Sequence, residues 1–86
     1  MPEISRFYGI VIKMYYKEHN PPHFHAEYAE FKAEIRIADF GLRQGYLPPK
    51  AMTLVLEWAM KHKDKLLEEW KTAKKQKPLF KIEPLL

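Results

Sequence analysis

The densest group of chemically useful side chains in the sequence is the segment His19–His25, which holds three histidines and is followed by Glu27. Neutral imidazole is a common metal ligand, and histidine also titrates near neutral pH. Two kinds of chemistry therefore fit the segment. One is ligation of a metal ion, and the other is proton transfer between a histidine base and a histidine acid.

The metal hypothesis follows from strand geometry. A strand beginning at His23 places His23, His25 and Glu27 on one face, because successive side chains of a strand alternate. Alternate residues lie about 7 Å apart along the backbone, so two imidazoles can converge on one ion. With Glu27 or His19 as third ligand, the set suits zinc or a two-histidine-one-carboxylate iron site. No cofactor is required, since these histidines could instead pair with backbone groups or carboxylates.

The second hypothesis is a metal-independent ribonuclease. Cleavage of RNA by its own 2′-hydroxyl needs a base and an acid, and two of the three residues His19, His23 and His25 would supply them. Cations must hold the phosphate, and aromatic rings can stack bases. The candidate phosphate-binding cations are Arg6, Lys13, Lys17 and Arg36. The aromatic residues near them are equally suited to a core, so they do not decide between catalysis and packing.

The net charge of +4 is unevenly distributed, with eight lysines and five acids in residues 51–86. This excess permits binding to nucleic acid or an anionic surface, but a solvated helix face explains it as well. A DNA-binding regulator is a third possibility. It is disfavoured because no helix-turn-helix spacing with a glycine turn is present.

The chain of 86 residues has room for one domain, which we assign to residues 1–86. Its composition, 47% apolar and 30% charged, is typical of a globular protein. No apolar stretch is long enough for a membrane helix, and no signal peptide is recognisable. The absence of cysteine excludes disulfides and thiolate metal sites. The predicted compartment is the cytoplasm.

The elements that must position the histidines are strands. Alternation and β-branched residues predict four of them, forming an antiparallel sheet over residues 4–46. The predicted strands run from Phe7 to Tyr16, from His23 to Ala29, over residues 31–38, and from Leu42 to Gln44.

The second half of the sequence is predicted to be helical over residues 48–76, because apolar residues recur at helical spacing after Pro48-Pro49. One unbroken helix would be too long for so small a domain, so we expect a kink or turn near residues 62–64, with Asp64 as a cap. The tail, residues 78–86, is extended and apolar. It could cover its own core or add a strand to a partner. The predicted class is α+β.

Four blocks of the sequence resemble the bacterial family called domain of unknown function 4160. They are the opening residues 1–12, the block His-Asn-Pro-Pro-His-Phe-His-Ala-Glu-Tyr at 19–28, the Leu-Pro-Pro helix entry at 47–49 and the closing Lys-Ile-Glu-Pro-Leu at 81–85. The resemblance implies a chain encoded beside another small protein, in an arrangement similar to toxin–antitoxin pairs. It implies a protein partner, and RNA as a possible target.

From these observations we expect a small component of a toxin–antitoxin-like module that acts through a partner and on RNA, with His23 and His25 as the first catalytic candidates. The alternative is a non-catalytic interaction or metal-binding module built on the His19–His25 segment. A homo-oligomer is compatible with either. The residues and the resemblance leave both open.

Overall fold

The computed structural model describes residues 3–85 and is α+β, as predicted. One antiparallel sheet has the strand order β1-β2-β3-β4-β5, so each strand pairs with its sequence neighbour, and two helices follow. The elements are β1 (Glu3–Phe7), β2 (Ile10–Lys13), β3 (His23–Tyr28), β4 (Phe31–Arg36), β5 (Leu42–Gly45), α1 (Pro49–Lys61) and α2 (Lys63–Lys74).

The sheet has five strands where the sequence predicted about four. The difference lies at Tyr8-Gly9, where the expected first strand is interrupted by a two-residue turn between β1 and β2. Both residues have positive φ, 49° for Tyr8 and 78° for Gly9, as a type I′ hairpin turn requires. A tyrosine seldom adopts this conformation, so residue type gave little warning of the turn.

The two faces of the sheet differ as the alternation in β3 and β4 predicts. Phe24 and Ala26 of β3 are buried with Ala33 and Ile35 of β4, and they form the core with the apolar sides of the helices. His25 and the polar residues of β4 lie on the opposite, partly exposed face. This second face is the one that carries the candidate site.

The helical segment is broken at His62, within the range predicted for a kink. His62 ends α1 and occupies the cap position of α2, with φ of −127° and no side-chain capping bond. Asp64, which we predicted as the cap, instead lies in the first turn of α2, where its charge interacts favourably with the helix dipole. Neither helix of the described chain has the length and hydropathy that a bilayer span needs.

The tail folds back on its own domain. The Ile82 amide donates to the carbonyl oxygen of Ile4 on β1 at 2.8 Å, and the Trp58 indole donates to the carbonyl oxygen of Glu83 at 2.8 Å. Ile82 and Leu85 are buried in the core. The tail therefore covers the domain to which it belongs, the first of the two roles considered for it. Leu86 lies outside the described residues.

Candidate metal centre

His23 begins strand β3 and is 1% exposed, an unusual burial for a histidine in so small a domain. Its Nδ1 nitrogen lies 2.8 Å from the carbonyl oxygen of Pro21. A carbonyl can only accept, so Nδ1 carries the proton and donates it. Nε2 is then the nitrogen of His23 that faces the other side chains of the site.

Nε2 of His23 faces the carboxylate of Glu18, whose Oε1 atom lies 3.3 Å away. The same carboxylate oxygen contacts Nε2 of His25, two residues further along β3. Burial opposes ionisation of Glu18, but its hydrogen bond to His25 and the charges of both histidines outweigh burial, and the pKa of Glu18 is lowered. Glu18 is therefore an anion held between two imidazoles.

Aromatic side chains hold the two imidazoles in place. The ring of Trp70, from α2, lies 5.3 Å from the ring of His23 between centroids. Tyr15 meets His25 edge to face at 4.6 Å. The ligand loop, which we define as residues 14–22, is also tied to α2, because Lys74 Nζ donates to the backbone carbonyl of Glu18 at 2.9 Å.

One ligand atom from each of Glu18, His23 and His25 lies within 4.8 Å of the other two. Zinc bonds its nitrogen and oxygen ligands at about 2.0–2.2 Å, which puts the ligand atoms of a tetrahedral site about 3.3–3.5 Å apart. The 3.3 Å separation of His23 Nε2 from Glu18 Oε1 already has this value. We call this group the Glu18–His23–His25 cluster, and its ligand atoms are of the types that divalent transition metals bind.

The cluster lies at the edge of a groove of about 550 Å³ on the outer face of the sheet. Glu18 and His25 line the groove, whereas His23 lies behind them. Glu34 of β4 also lines it, with Oε1 3.7 Å from His23 Nε2, and forms an ion pair with Arg43 of β5. The remaining lining residues are Tyr15, Lys17, Ala26, Glu27, Lys32, Ala33, Gln44 and Gly45.

Of the predicted ligands, the structure brings His23 and His25 together and leaves the other two apart. Glu27 shares their face of β3, as predicted, but its carboxylate pairs with Lys13 at 3.2 Å and is not part of the cluster. His19 is exposed on the ligand loop and is likewise not part of the cluster. The carboxylate ligand that the geometry provides is Glu18.

Three of the four predicted phosphate-binding cations are in ion pairs. Arg6 pairs with Glu3 at 2.9 Å, and Arg36 pairs with Asp39 at 3.0 Å. Lys13 pairs with a carboxylate of β3, as described above, although its backbone is directly opposite His25 in the sheet. Lys17 is exposed and lines the groove.

Sequence reasoning missed Glu18 and Glu34. It also missed the contacts that α2 makes with His23 and Glu18. Glu18 is adjacent to His19, so a search for carboxylates on both sides of the histidine segment would have found it. Glu34 alternates outward on a strand that was predicted correctly, but its position opposite His25 depends on the register of β3 with β4, which the sequence does not show. The contacts of Trp70 and Lys74 join residues about fifty positions apart and have no local signature.

A five-stranded antiparallel meander, packed by two helices and carrying a partly buried glutamate–histidine–histidine cluster on its outer face, defines a small α+β domain with a candidate metal centre. The profile of the family described as domain of unknown function (DUF4160) matches residues 9–71, and the chain belongs to that family. This confirms the resemblance seen in the sequence. No curated protein and no solved structure has significant similarity to the chain.

Proposed function

We propose that the chain is a metal-binding module whose Glu18–His23–His25 cluster holds one divalent transition-metal ion. The observation that carries the proposal is the hydrogen bond from His23 Nδ1 to the Pro21 carbonyl. It fixes which nitrogen of His23 points into the cluster, since Nε2 then faces the Glu18 carboxylate at 3.3 Å and the same carboxylate oxygen contacts His25. A metal ion bound there would replace these contacts with coordinate bonds, and metal-bound histidines commonly donate their other nitrogen in this way.

The ligand chemistry favours zinc or iron(II). Two imidazoles and one carboxylate form the protein part of many catalytic zinc sites and of the facial triad of non-haem iron. The groove in front of Glu18 and His25 leaves room for a further ligand. A three-ligand site that opens on a groove is typical of reactive metal centres rather than structural ones.

The test is metal content and affinity, measured by elemental analysis of purified protein and by titration of Zn²⁺ and Fe²⁺ into apoprotein. The wild type is expected to bind one ion per chain. Glu18→Gln and His25→Ala are expected to weaken binding by about a hundredfold or more, since each removes a direct ligand.

Glu27→Gln and His19→Ala are matched controls, because both residues neighbour the cluster without joining it. They are expected to bind as the wild type does. Wild-type protein that binds no ion, or Glu18→Gln that binds as tightly as Glu27→Gln, would contradict the proposal.

A second candidate is metal-independent cleavage of RNA by the histidines, in a toxin–antitoxin-like module. It is supported by the position of His25 and Lys17 on one groove and by two ionisable imidazoles in contact. It is weakened by Glu18, whose carboxylate occupies the space between the imidazoles where an anionic phosphate would bind. For this reason we rank it below metal binding.

Induced expression distinguishes the two candidates in the cell. Wild-type protein and a His23→Ala/His25→Ala double variant are expressed, and growth and total RNA integrity are followed in medium with and without a metal chelator. Growth arrest with RNA fragmentation that persists in chelator, and that requires the histidines, would favour the metal-independent ribonuclease. Normal growth with soluble protein present would exclude a free-standing toxin.

We propose, from the family resemblance alone, that the chain acts with a small protein encoded beside it, and the cytoplasm stays the compartment predicted from the sequence. Co-expression of the neighbouring gene and co-purification through a tag on either chain test this directly. Separate elution of the two proteins, each folded, would contradict it. The size of the purified chain in solution gives its own oligomeric state.

A further inference from the structure

We infer that the metal centre is hydrolytic and that it cleaves phosphodiesters, with Glu34 as the base that activates an ion-bound water. The inference deepens the proposed function and rests on it, since it needs an ion at the Glu18–His23–His25 cluster. It adds a reaction, a further catalytic residue and a substrate class.

An ion bound at the Glu18–His23–His25 cluster would be accessible from one side only. His23 is buried behind the cluster, while Glu18 and His25 are on the groove wall with side chains 27% and 19% exposed. An ion held by all three ligands is therefore shielded on the His23 side and accessible from the groove. Water would occupy its free coordination position, and ion-bound water is far more acidic than bulk water.

Glu34 lies beside the cluster on the same groove. Its Oε1 atom is 3.7 Å from the innermost ligand atom, His23 Nε2, and the side chain lines the same groove. Arg43 forms an ion pair with the same oxygen, Oε1, and so holds the carboxylate in place. Glu34 is not one of the three residues whose ligand atoms all lie within 4.8 Å of one another, but its carboxylate is close enough to the cluster to accept a proton from a water on the ion.

The charged side chains that line the groove determine which substrates it attracts. The carboxylates of Glu27 and Glu34 on the groove wall are each paired with a cation, Lys13 and Arg43. Lys17 and Lys32 also line the groove, and within the described chain neither has a carboxylate within 4.0 Å. With a divalent ion present, the groove carries an excess of positive charge, which favours an anionic substrate.

These features together suit a phosphodiester. The anionic phosphoryl group is attracted by the ion and the two lysines, and Tyr15 lines the groove with a partly exposed ring on which a nucleobase can pack. In the reaction, the ion-bound water transfers a proton to Glu34 and its oxygen forms a bond to phosphorus. The bond from phosphorus to the leaving oxygen breaks, and that oxygen takes up the proton from Glu34. The products are a phosphomonoester and an alcohol.

The experiment measures hydrolysis by protein loaded with Zn²⁺, Mn²⁺ or Fe²⁺, with bis(p-nitrophenyl) phosphate and with one labelled single strand prepared as RNA and as DNA. Metal content is measured on the same samples. Cleavage of any of these by loaded wild type, abolished by chelation, is expected. Hydrolysis of p-nitrophenyl acetate without cleavage of any phosphodiester would overturn the inference, as would loaded protein without activity above that of the free ion.

Two sets of variants separate the inference from the metal site itself. Glu34→Gln is expected to retain a full complement of metal and to lose about a hundredfold or more of kcat. Lys17→Ala and Lys32→Ala are expected to raise KM more than they lower kcat, whereas Lys50→Ala, an exposed lysine outside this groove, changes neither. Glu34→Gln with normal metal content and normal kcat would overturn the role of Glu34. An empty metal site in the wild type would instead contradict the proposed function.

Discussion

The Nδ1 nitrogen of His23 donates a hydrogen bond to the carbonyl oxygen of Pro21, at 2.8 Å, and this contact determines which nitrogen of the ring faces Glu18. Pro21 has no amide hydrogen to donate to a neighbouring strand, and its carbonyl accepts from the side chain two residues later. The proline block and the histidine block of the sequence are therefore one structural unit, in which the proline segment orients the ligand.

Substitutions can separate the contribution of His23 Nδ1 to stability from that of His23 Nε2 to metal binding. Asparagine offers an amide donor near the position of Nδ1 but has nothing at Nε2, whereas alanine lacks both. We expect His23→Ala to lose about 2–4 kcal/mol of metal-free stability, because it leaves a cavity against Trp70, and His23→Asn to lose about 1 kcal/mol less. Both variants should lose metal binding. Urea unfolding of the apoproteins and Zn²⁺ titration measure these quantities, and equal stability of the two variants would show that the Pro21 contact contributes nothing.

A buried carboxyl predicts a pH dependence of stability. Glu69 on α2 is 0% exposed, and neither of its oxygens has a hydrogen-bond partner of normal geometry. Burial raises its pKa from the ordinary 4.5 to about 7, although the backbone of Phe80 lies near enough to oppose the shift. The folded protein thus keeps a proton that the unfolded chain has lost between these two pH values.

Stability contributed by Glu69 is therefore fully present below pH 4.5, falls as the pH rises, and is lost above about pH 7. A shift of this size corresponds to about 3 kcal/mol. Glu69→Gln, which cannot ionise, should remove this part of the pH dependence and exceed the wild type in stability at pH 8. The check is urea unfolding at pH 5 and pH 8, with the exposed neighbour variant Glu68→Gln as control. A wild type and a Glu69→Gln variant that lose equal stability between the two pH values would contradict the prediction.

Much of the fold was predictable because it is local. The alternation from Phe31 to Ile37 is a property of one strand. The helical spacing that follows Pro48-Pro49 is likewise a property of one continuous segment. The break at His62 followed from size, since a domain of this length cannot accommodate one helix of nearly thirty residues. The turn at Tyr8-Gly9 was missed because a tyrosine at positive φ is stabilised by the pairing of β1 with β2, which residue type does not reveal.

The site was half predictable for the same reason. His23 and His25 share a strand face, so their proximity is a local property that alternation gives directly. Glu18 reaches them through a loop whose path depends on the proline segment and on an anchor from α2. Glu27 has a carboxylate that could bind a metal and lies on the same face of β3 as the two histidines. Its charge is neutralised by Lys13 on the neighbouring strand. Such competition between partners on different strands is set by register, which the sequence does not show.

Two glycines differ in how closely another part of the chain approaches their backbone. Gly45 and Gly9 both have positive φ, 87° and 78°. A Cβ atom at Gly45 would lie 2.2 Å from the carbonyl oxygen of Lys32, while at Gly9 it would lie 3.6 Å from the ring of Tyr28. Gly9→Ala should therefore cost only the backbone strain of about 1–2 kcal/mol, and Gly45→Ala should cost at least about 1 kcal/mol more. Chemical unfolding of both variants measures the difference, and equal losses would show that β5 moves away freely from β4.

The contact between Lys74 and the backbone of Glu18 predicts that α2 controls metal affinity from outside the cluster. Lys74 Nζ donates to the Glu18 carbonyl at 2.9 Å and lies 5.5 Å from the centre of the Trp70 ring. Lys74→Met keeps the aliphatic packing on Trp70 but removes the donor, so the ligand loop should lose its anchor. We expect Zn²⁺ affinity to fall by about tenfold or more, as for other contacts that orient metal ligands.

Lys71→Met is the matched control, since Lys71 is exposed on the same helix and its side chain makes no ion pair or hydrogen bond within residues 3–85. Titration of Zn²⁺ into both apoproteins, combined with their metal-free melting temperatures, separates loss of affinity from loss of folding. A Lys74→Met protein that binds Zn²⁺ as tightly as Lys71→Met would show that the ligand loop is rigid without α2. In that case the proline segment alone would hold Glu18 in place, and α2 would serve the site only through the contact of Trp70 with His23.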